Sequence, residues 1–156
     1  MSRNYKFYNP DSAYFVSFAV VDWADVFTRN IYKNILLDSL TYCQKNKGME
    51  IYAWCIMTNH VHLLCTPRKE NGVSLMMQAL GRQYVRFFNH KYQRTGTLWE
   101  GRFKSCLVED EVYLLHLYRY IELNPVRAAL VNDPSEYHWS SYQINGLGKT
   151  SRLCTS

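Results

Sequence analysis

The sequence predicts an α+β fold of the ferredoxin-like or RRM-like kind, with helices packed on one face of an antiparallel sheet. Apolar patterns alternate between strand-like and helical segments in the order β-α-β-β-α-β-α. The chain has 156 residues, a length that favours a single domain, 1–156, with its core at about 12–143. Hydrophobic residues make up 47% and charged residues 20%, so the chain has enough apolar surface to bury a core.

The first half of the chain contains three strand-like runs and one helical run. Residues 13–21 are rich in aromatic and β-branched side chains, which favour a strand. Residues 30–47 repeat apolar side chains at helical spacing, and Gly48 ends the pattern. Residues 49–57 and 60–66 are strand-like again. The polar pair between them predicts a hairpin or a tight bend.

The second half predicts two helices separated by a loop and a strand. Residues 73–92 have the apolar spacing of a helix, with one side buried. Residues 93–101 contain two glycines and predict a loop, and residues 103–109 predict a fourth strand. Residues 110–123 predict a helix that ends where an Asn-Pro pair follows, since a proline disfavours helical geometry in the residue before it.

Composition narrows the class of protein. No apolar run approaches the roughly 18 residues that a membrane span needs, and the start of the chain lacks the apolar core of a signal peptide. We therefore expect a cytoplasmic protein with no membrane partner. The tail from about Leu147, residues 147–156, is polar and is expected to fray.

Cysteine usage and net charge add two expectations. The five cysteines are odd in number and show no C-x-x-C spacing, which favours buried reduced thiols over a disulfide frame or a zinc site. Basic residues exceed acidic ones by 18 to 13, and the resulting charge of +5 favours a polyanionic partner. The cysteines are Cys43, Cys55, Cys65, Cys106 and Cys154.

His60 and His62 are the first candidates for chemistry. They lie two residues apart in a strand-like run, so their side chains should project from the same face of the sheet. Two imidazoles at that spacing can share one divalent metal ion. The alternative is one surface histidine and one hydrogen-bonded core histidine, because an H-x-H pattern is short and common.

Tyr120 and Asn124 form the second candidate pair. They are four residues apart in a predicted helix, Leu114–Asn124, so we expect them on one face of it. A tyrosine hydroxyl can attack a phosphodiester and hold the product as a phosphotyrosine, and an amide oxygen can complete a metal site. The alternative is packing, because a chain with 13 tyrosines uses most of them for that purpose.

The stretch from residue 82 to residue 104 is the third candidate. Six basic residues stand there against the single acid Glu100, and aromatic residues lie between them. Cations that follow a phosphate backbone, together with rings on which bases stack, are typical of single-strand binding. Helical spacing assigns Phe88 and Tyr84 to the core, and a solvated basic face is the alternative. The candidate DNA contacts in this stretch are Arg82, Arg86, Arg94, Trp99, Arg102 and Lys104.

Four segments together resemble one protein family. Residues 57–64, M-T-N-H-V-H-L-L, resemble the M-P-N-H-V-H-L-L signature of the single-tyrosine HUH transposases. Residues 120–128, Y-I-E-L-N-P-V-R-A, resemble the Y-I-x-x-N-P-V-R-A segment of the REP-associated tyrosine transposase branch. Residues 98–103 and 137–142 are similar to that branch's W-x-x-R-[FY] and Y-x-W-S-S-Y stretches. The resemblance covers about residues 12–143.

The resemblance implies a role for each matching residue. His60 and His62 would be metal ligands, and Tyr120 would be the nucleophile that forms a 5′-phosphotyrosine. Asn124 would be the third ligand or would orient the phosphate. Thr58 stands where the family has a proline, a position that shapes the turn and carries no chemistry.

The resemblance also implies cofactors and partners. The metal would be Mg²⁺ or Mn²⁺, and no nucleotide cofactor is expected, because the covalent link keeps the phosphodiester energy and the sequence has no phosphate-binding P-loop. The partner would be single-stranded or hairpin DNA, with Arg119 and Arg127 as further candidate phosphate contacts. The chain would act as a monomer or a homodimer. The DNA sequence recognised, and the choice between mobilising an element and processing resident repeats, stay open.

The sequence leaves two alternative functions open. A non-catalytic binder of single-stranded or hairpin DNA would keep the basic aromatic surface and need no metal. A metal-dependent hydrolase of small phosphates would need an activated water and more carboxylate ligands. Glu109 and Asp110 are the nearest acids for that hydrolase, and a helix cap explains them adequately.

Overall fold

A computed structural model of the protein describes residues 11–19, 30–93, 95–96 and 103–149. Its main elements follow one another in the predicted order. They are β1 (Tyr14–Ala19), α1 (Asn30–Asn46), β2 (Met49–Ile56), β3 (His60–Pro67), α2 (Gly72–Leu80), α3 (Arg86–Tyr92), β4 (Lys104–Leu107), α4 (Glu111–Glu122), α5 (Asn124–Arg127) and α6 (Tyr142–Asn145). A π-helical turn at Gly81–Val85 joins α2 to α3, and a short 3₁₀ helix spans Pro134–Glu136.

The four strands form one antiparallel sheet in the order β2-β3-β1-β4. This is the ferredoxin-like order, in which α1 and the α2–α3 segment connect strands that are not neighbours. The predicted hairpin between β2 and β3 is confirmed, and the Met57 backbone N–H closes it by donating to the His60 carbonyl at 2.9 Å. The α+β fold with helices on an antiparallel sheet is therefore confirmed.

Alternate residues along the strands separate two cores. One face carries Val16, Leu63 and other apolar residues that pack against α1, α2 and the π turn. The opposite face carries Leu64 and Cys55, which pack against Leu117 and Ile121 of α4. We call this second side the histidine face, because His60 and His62 share the strand parity of Leu64.

The expectation that helices cover one face only was wrong for α4. The crossover helices lie together on one face, as predicted, but α4 follows the last strand and packs on the histidine face. The physical reason is that both faces of the central strands are apolar near Leu63 and Leu64. A sheet with two apolar faces must bury both of them.

Most predicted boundaries differ from the structure by one or two residues. The predicted helix 73–92 is built from α2, the π turn and α3, and Tyr84 in the π turn is fully buried. The helix predicted at 110–123 ends at Glu122. Asn124 then begins α5 with Pro125 in its first turn, where a missing N–H has no cost.

Several predictions concern residues outside the described ranges. They are the polar start at 1–10, the end of the first strand at 20–21, most of the family-like segment 98–103, Cys154, and the tail from residue 150. The part of the predicted tail that is described, residues 147–149, is held against α6, since Gly148 and Lys149 donate backbone hydrogen bonds to the carbonyls of Ile144 and Gln143. Cys43, Cys55 and Cys65 are buried free thiols as expected, whereas Cys106 is free and exposed.

The segment 137–141 lies along the outer edge of β2. Ile56 N–H donates to the Trp139 carbonyl, and Ser141 N–H donates to the Trp54 carbonyl, both at 2.9 Å. The Tyr137 hydroxyl donates to the Ile56 carbonyl at 2.6 Å. This segment therefore covers an edge strand that would otherwise leave backbone groups unpaired.

Over the described ranges, every helix is too short or too polar to cross a lipid bilayer.

Ile121→Ala tests how firmly α4 is held against the histidine face. Ile121 is fully buried there, so we expect the free energy of unfolding to fall by about 2–5 kcal/mol. Val112→Ala, at a position of the same helix that is 67% exposed, should change it by less than about 0.5 kcal/mol. Urea denaturation of both variants measures the difference, and equal losses would show that α4 is not held by this contact.

Candidate functional site

His60 and His62 project side by side from the histidine face of β3. Their ring centroids are 4.9 Å apart and the rings are nearly perpendicular, at 75°. His60 Nδ1 lies 2.7 Å from Asn59 Oδ1. Because a carboxamide oxygen only accepts hydrogen bonds, His60 Nδ1 donates, and the lone pair of the neutral ring is left on Nε2.

His62 lies deeper than His60, in aromatic surroundings. Its ring stacks on Phe15 with the centroids 5.6 Å apart and the planes 22° apart. Its Nδ1 is buried and has no hydrogen-bond partner among the described residues. Burial, followed by the charges of His60 and Arg127, lowers the pKa of His62 to about 4, and burial also lowers the pKa of His60. Both imidazoles are therefore neutral at pH 7 and able to bind a cation.

Helix α4 places Tyr120 against His62. The Tyr120 and His62 ring centroids are 5.7 Å apart at an interplanar angle of 77°, and Phe15 contacts the Tyr120 ring edge-on at 6.0 Å. Tyr120 is 43% exposed, although its neighbour Ile121 is fully buried. A phenol that is anchored on one side and open on the other can reach a bound molecule above the histidines.

Arg127 contacts Tyr120 in two ways. Its guanidinium carbon lies 4.2 Å from the centroid of the Tyr120 ring, a cation–π distance. Its Nη2 also donates a hydrogen bond to the Tyr120 backbone carbonyl. In a continuous helix the Tyr120 carbonyl would accept from the backbone N–H of Asn124, four residues on, but α4 ends at Glu122 and leaves that carbonyl without an intrahelical partner. Arg127 therefore caps the end of α4 and fixes the position of the Tyr120 ring.

The structure changes the expected relation between Tyr120 and Asn124. A shared helical face requires an uninterrupted helix, but α4 ends before Leu123 and Asn124 belongs to α5. Within the described ranges, no hydrogen bond joins the Asn124 side chain to either histidine, and no three His, Cys, Asp or Glu side chains form a metal-ligand cluster. The role of Asn124 as a third ligand stays a prediction.

The predicted DNA contacts fall into separate places. Lys104 is exposed on the histidine face, in the same cross-strand row as Ser17 and His62, about 10 Å from His62 at the usual strand spacing. Arg119 lies beside Tyr120 along one groove. Arg82 and Arg86 belong to the helical layer behind the sheet and are not brought together with the histidines. Arg94, Trp99 and Arg102 lie outside the described residues.

Sequence reasoning missed Phe15 and Asn59 as parts of the site. Asn59 directly precedes His60 in the quoted motif, so its position was a usable signal. Phe15 had no such signal, because its place under His62 depends on the pairing of β1 with β3. The sequence also predicted that the acids Glu109 and Asp110 cap a helix. This is confirmed for Asp110, since its carboxylate accepts from the Tyr113 backbone N–H at 2.8 Å.

Glu122 anchors the end of α4 below Tyr120. Its carboxylate is buried and accepts hydrogen bonds from the Ser141 hydroxyl at 2.5 Å and the Asn145 side-chain amide at 2.8 Å. Burial raises the pKa of Glu122, and the two hydrogen bonds oppose that rise. Through these contacts the segment that covers β2 also holds the helix that carries Tyr120.

The sequence matches a known family and several of its relatives. A family model described as "Transposase IS200 like" matches residues 13–124. A candidate REP-associated tyrosine transposase from Haemophilus influenzae is 30% identical over 104 residues, which are 60% of this chain and 58% of that protein. The REP-associated tyrosine transposase of Escherichia coli is 22% identical over 109 residues, 69% of this chain and 63% of that protein. The matches thus span less than two thirds of either relative.

Two solved structures share the fold. A REP-associated tyrosine transposase bound to a REP hairpin superposes with a TM-score of 0.77 at 19% identity, covering 100% of this chain and 92% of that chain. A candidate transposase from Deinococcus radiodurans superposes with a TM-score of 0.53 at 23% identity, covering 78% of this chain and 96% of that chain. At these identities the matches establish the architecture.

Glu122→Gln tests the buried carboxylate. A raised pKa in the folded state means that the unfolded chain loses its proton first, so wild-type stability falls as pH rises from about 4.3, the usual glutamate value, through the folded pKa. Glutamine keeps both acceptor contacts and does not titrate. We expect the variant to gain stability relative to wild type as pH rises from 4 to 8, measured by urea denaturation. Parallel curves for the two proteins would contradict this.

Proposed function

Because the chain belongs to the family of IS200-like transposases, we propose that it cleaves and rejoins single-stranded DNA at hairpin or repeat ends through a 5′-phosphotyrosine intermediate. The family resemblance read from the four sequence motifs is confirmed by the family match over residues 13–124. One observation carries the chemical proposal. The half-exposed phenol of Tyr120 lies against His62, the buried member of the histidine pair, with a guanidinium over its ring.

Tyr120 acts as the nucleophile in this proposal. Its hydroxyl oxygen attacks the scissile phosphorus, the bond from phosphorus to the 3′ oxygen breaks, and DNA stays attached through a 5′-phosphotyrosine. The phenol gives up its proton and the departing 3′ oxygen gains one, so the products are the adduct and a free 3′-OH. Attack by another 3′-OH reverses the step and joins new ends. The phosphodiester energy is retained, so no nucleotide is consumed.

His60 and His62 fit a divalent cation such as Mn²⁺ or Mg²⁺. Both are neutral at pH 7, and His60 has its proton fixed on Nδ1 by Asn59. The buried Nδ1 of His62 has no hydrogen-bond partner in the described part of the chain. Imidazole ligands favour Mn²⁺ in intrinsic affinity, and the abundance of Mg²⁺ in cells favours Mg²⁺. A bound cation would polarise a non-bridging oxygen of the scissile phosphate. Asn124 is proposed as the third ligand.

Two basic side chains, Arg127 and Lys104, extend the proposed site toward the DNA backbone. Arg127 fixes the Tyr120 ring and places positive charge beside the attacking oxygen. Lys104 lies on the same sheet face, where it can contact a neighbouring phosphate. The related structure that contains a REP hairpin supports hairpin DNA as the substrate class. Action on cellular DNA would place the protein in the cytoplasm.

Tyr120→Phe tests the nucleophile. We expect wild-type protein with Mn²⁺ and a labelled hairpin oligonucleotide to form an adduct that survives denaturing electrophoresis, and the variant to form none, because the attacking oxygen is gone. Tyr118→Phe is the matched control on the same helix, since Tyr118 lines a different groove, and it should keep the adduct. An adduct that persists in Tyr120→Phe, or a wild type that forms none with any hairpin or metal, would contradict the proposal.

Metal binding is tested without DNA by titration calorimetry. Wild-type protein should bind Mn²⁺ with one site, and His62→Ala should abolish that binding. Asn59→Ala removes the group that orients His60 and should weaken Mn²⁺ binding by about 10- to 100-fold. His138→Ala, at an exposed histidine, should bind as wild type does. Equal Mn²⁺ affinity in wild type and His62→Ala would show that the ion is not held by this pair.

A further inference from the structure

A groove of about 640 Å³ opens beside Tyr120 along one flank of α4. Its volume is within the range of sites for small molecules, about 300–1,000 Å³. The Tyr120 ring forms part of the wall, so whatever occupies the groove lies next to the attacking oxygen. The lining residues are Phe15, Tyr113, His116, Leu117, Arg119, Tyr120, Leu123 and Arg127.

Tyr113 presents an open aromatic surface in this groove. It lies seven residues before Tyr120 in α4, so both side chains project from nearly the same side of the helix. Tyr113 is 45% exposed. Its backbone N–H is used by the cap of α4, but no hydrogen bond of its hydroxyl and no ring contact is found among the described residues. A ring held on a helix and left open to solvent is a platform on which a base can stack.

The charges around α4 favour a polyanion only on the flank that carries this groove. Arg119 and Arg127 line the groove, and none of the described lining residues carries a carboxylate. The described part of the chain contains no ion pair to Arg119, so its charge is not neutralised by an acid there. The groove on the opposite flank, lined by Tyr118, contains four acids: Asp11, Glu109, Asp110 and Glu111. A phosphate backbone that passes Tyr120 would be repelled from that side.

We propose that the groove between Tyr113 and Arg119 binds a nucleotide of single-stranded DNA adjoining the phosphate that Tyr120 attacks. The base stacks on the Tyr113 ring, and its phosphate pairs with the Arg119 guanidinium. This inference rests on the proposed function, because it takes the DNA strand to pass Tyr120. It assigns a role in DNA binding to Tyr113. The sequence motifs do not indicate that role, and neither does the histidine pair.

Fluorescence anisotropy with a labelled single-stranded oligonucleotide tests the groove. The measurements use full-length protein that also carries Tyr120→Phe and contain EDTA, so that binding is read without cleavage. Loss of one stacked base should weaken binding by about 5- to 150-fold in Tyr113→Ala, while Tyr113→Phe, which keeps the ring, should bind like the parent. Tyr42→Ala, at an exposed tyrosine of α1, is the aromatic control and should have no effect.

Two further measurements separate stacking from a general loss of structure. A series of oligonucleotides carries a single abasic site, each at a different position along the strand. At one position the missing base should weaken binding to the parent protein. At that position the missing base should not weaken binding to Tyr113→Ala any further. Arg119→Gln should lower the slope of log affinity against log salt by about 0.7, the value for one phosphate contact on a single strand. Lys45→Gln, an exposed cation at the end of α1, should leave the slope unchanged.

The results distinguish this inference from the proposed function. If Tyr113→Ala binds like Tyr113→Phe, or no abasic position matters to the parent protein, the groove is not the nucleotide site, even when wild type forms its adduct. If Tyr113→Ala and Arg119→Gln weaken binding as described while wild type forms no adduct, the groove is a DNA site and the cleavage proposal alone is wrong.

Discussion

The packing of α4 across the histidine face is the constraint on which the site depends. Leu117 and Ile121 are buried against Leu64 and Cys55 of the sheet, and this contact fixes the side of the helix that faces outward. Tyr120, adjacent to Ile121 in the chain, is consequently held beside His62 while half of its surface stays open. The hydrophobic contact thus determines the position of the phenol, and Arg127 and Glu122 secure the end of the same helix.

Burial and charge divide the surroundings of α4 into three regions. Between the helix and the sheet, burial keeps two imidazoles neutral, and the buried Nδ1 of His62 has no hydrogen-bond partner among the residues that the structure describes. One flank of the helix carries guanidinium groups and open rings, and the other flank carries carboxylates. A neutral histidine pair beside a positive groove suits the proposed phosphodiester substrate, because the positive flank attracts a phosphate backbone and the acidic flank repels it.

The sequence predicted the parts of the site that depend on local spacing. The two-residue period of a strand placed His60 and His62 on one face, and the hairpin before them followed from the polar pair between two apolar runs. The meeting of Tyr120 with these histidines, 58 residues away, could not be derived from spacing and came only from the family resemblance. Residue spacing predicted one helix through Asn124, whereas α4 ends at Glu122 and Asn124 begins α5. The second helical layer was missed, although the successive apolar residues Leu63 and Leu64 indicated a strand buried on both faces.

His62 and Tyr120 of one chain lie together, and we propose that the reaction uses the histidine pair and the tyrosine of the same chain. The most direct measurement mixes His62→Ala with Tyr120→Phe, two variants that should each be inactive, and looks for the covalent adduct that wild type forms under the same conditions. We expect the mixture to form no adduct, because neither chain contains a complete site. An adduct restored by mixing would show that the tyrosine acts on a site in a second chain and would contradict the account.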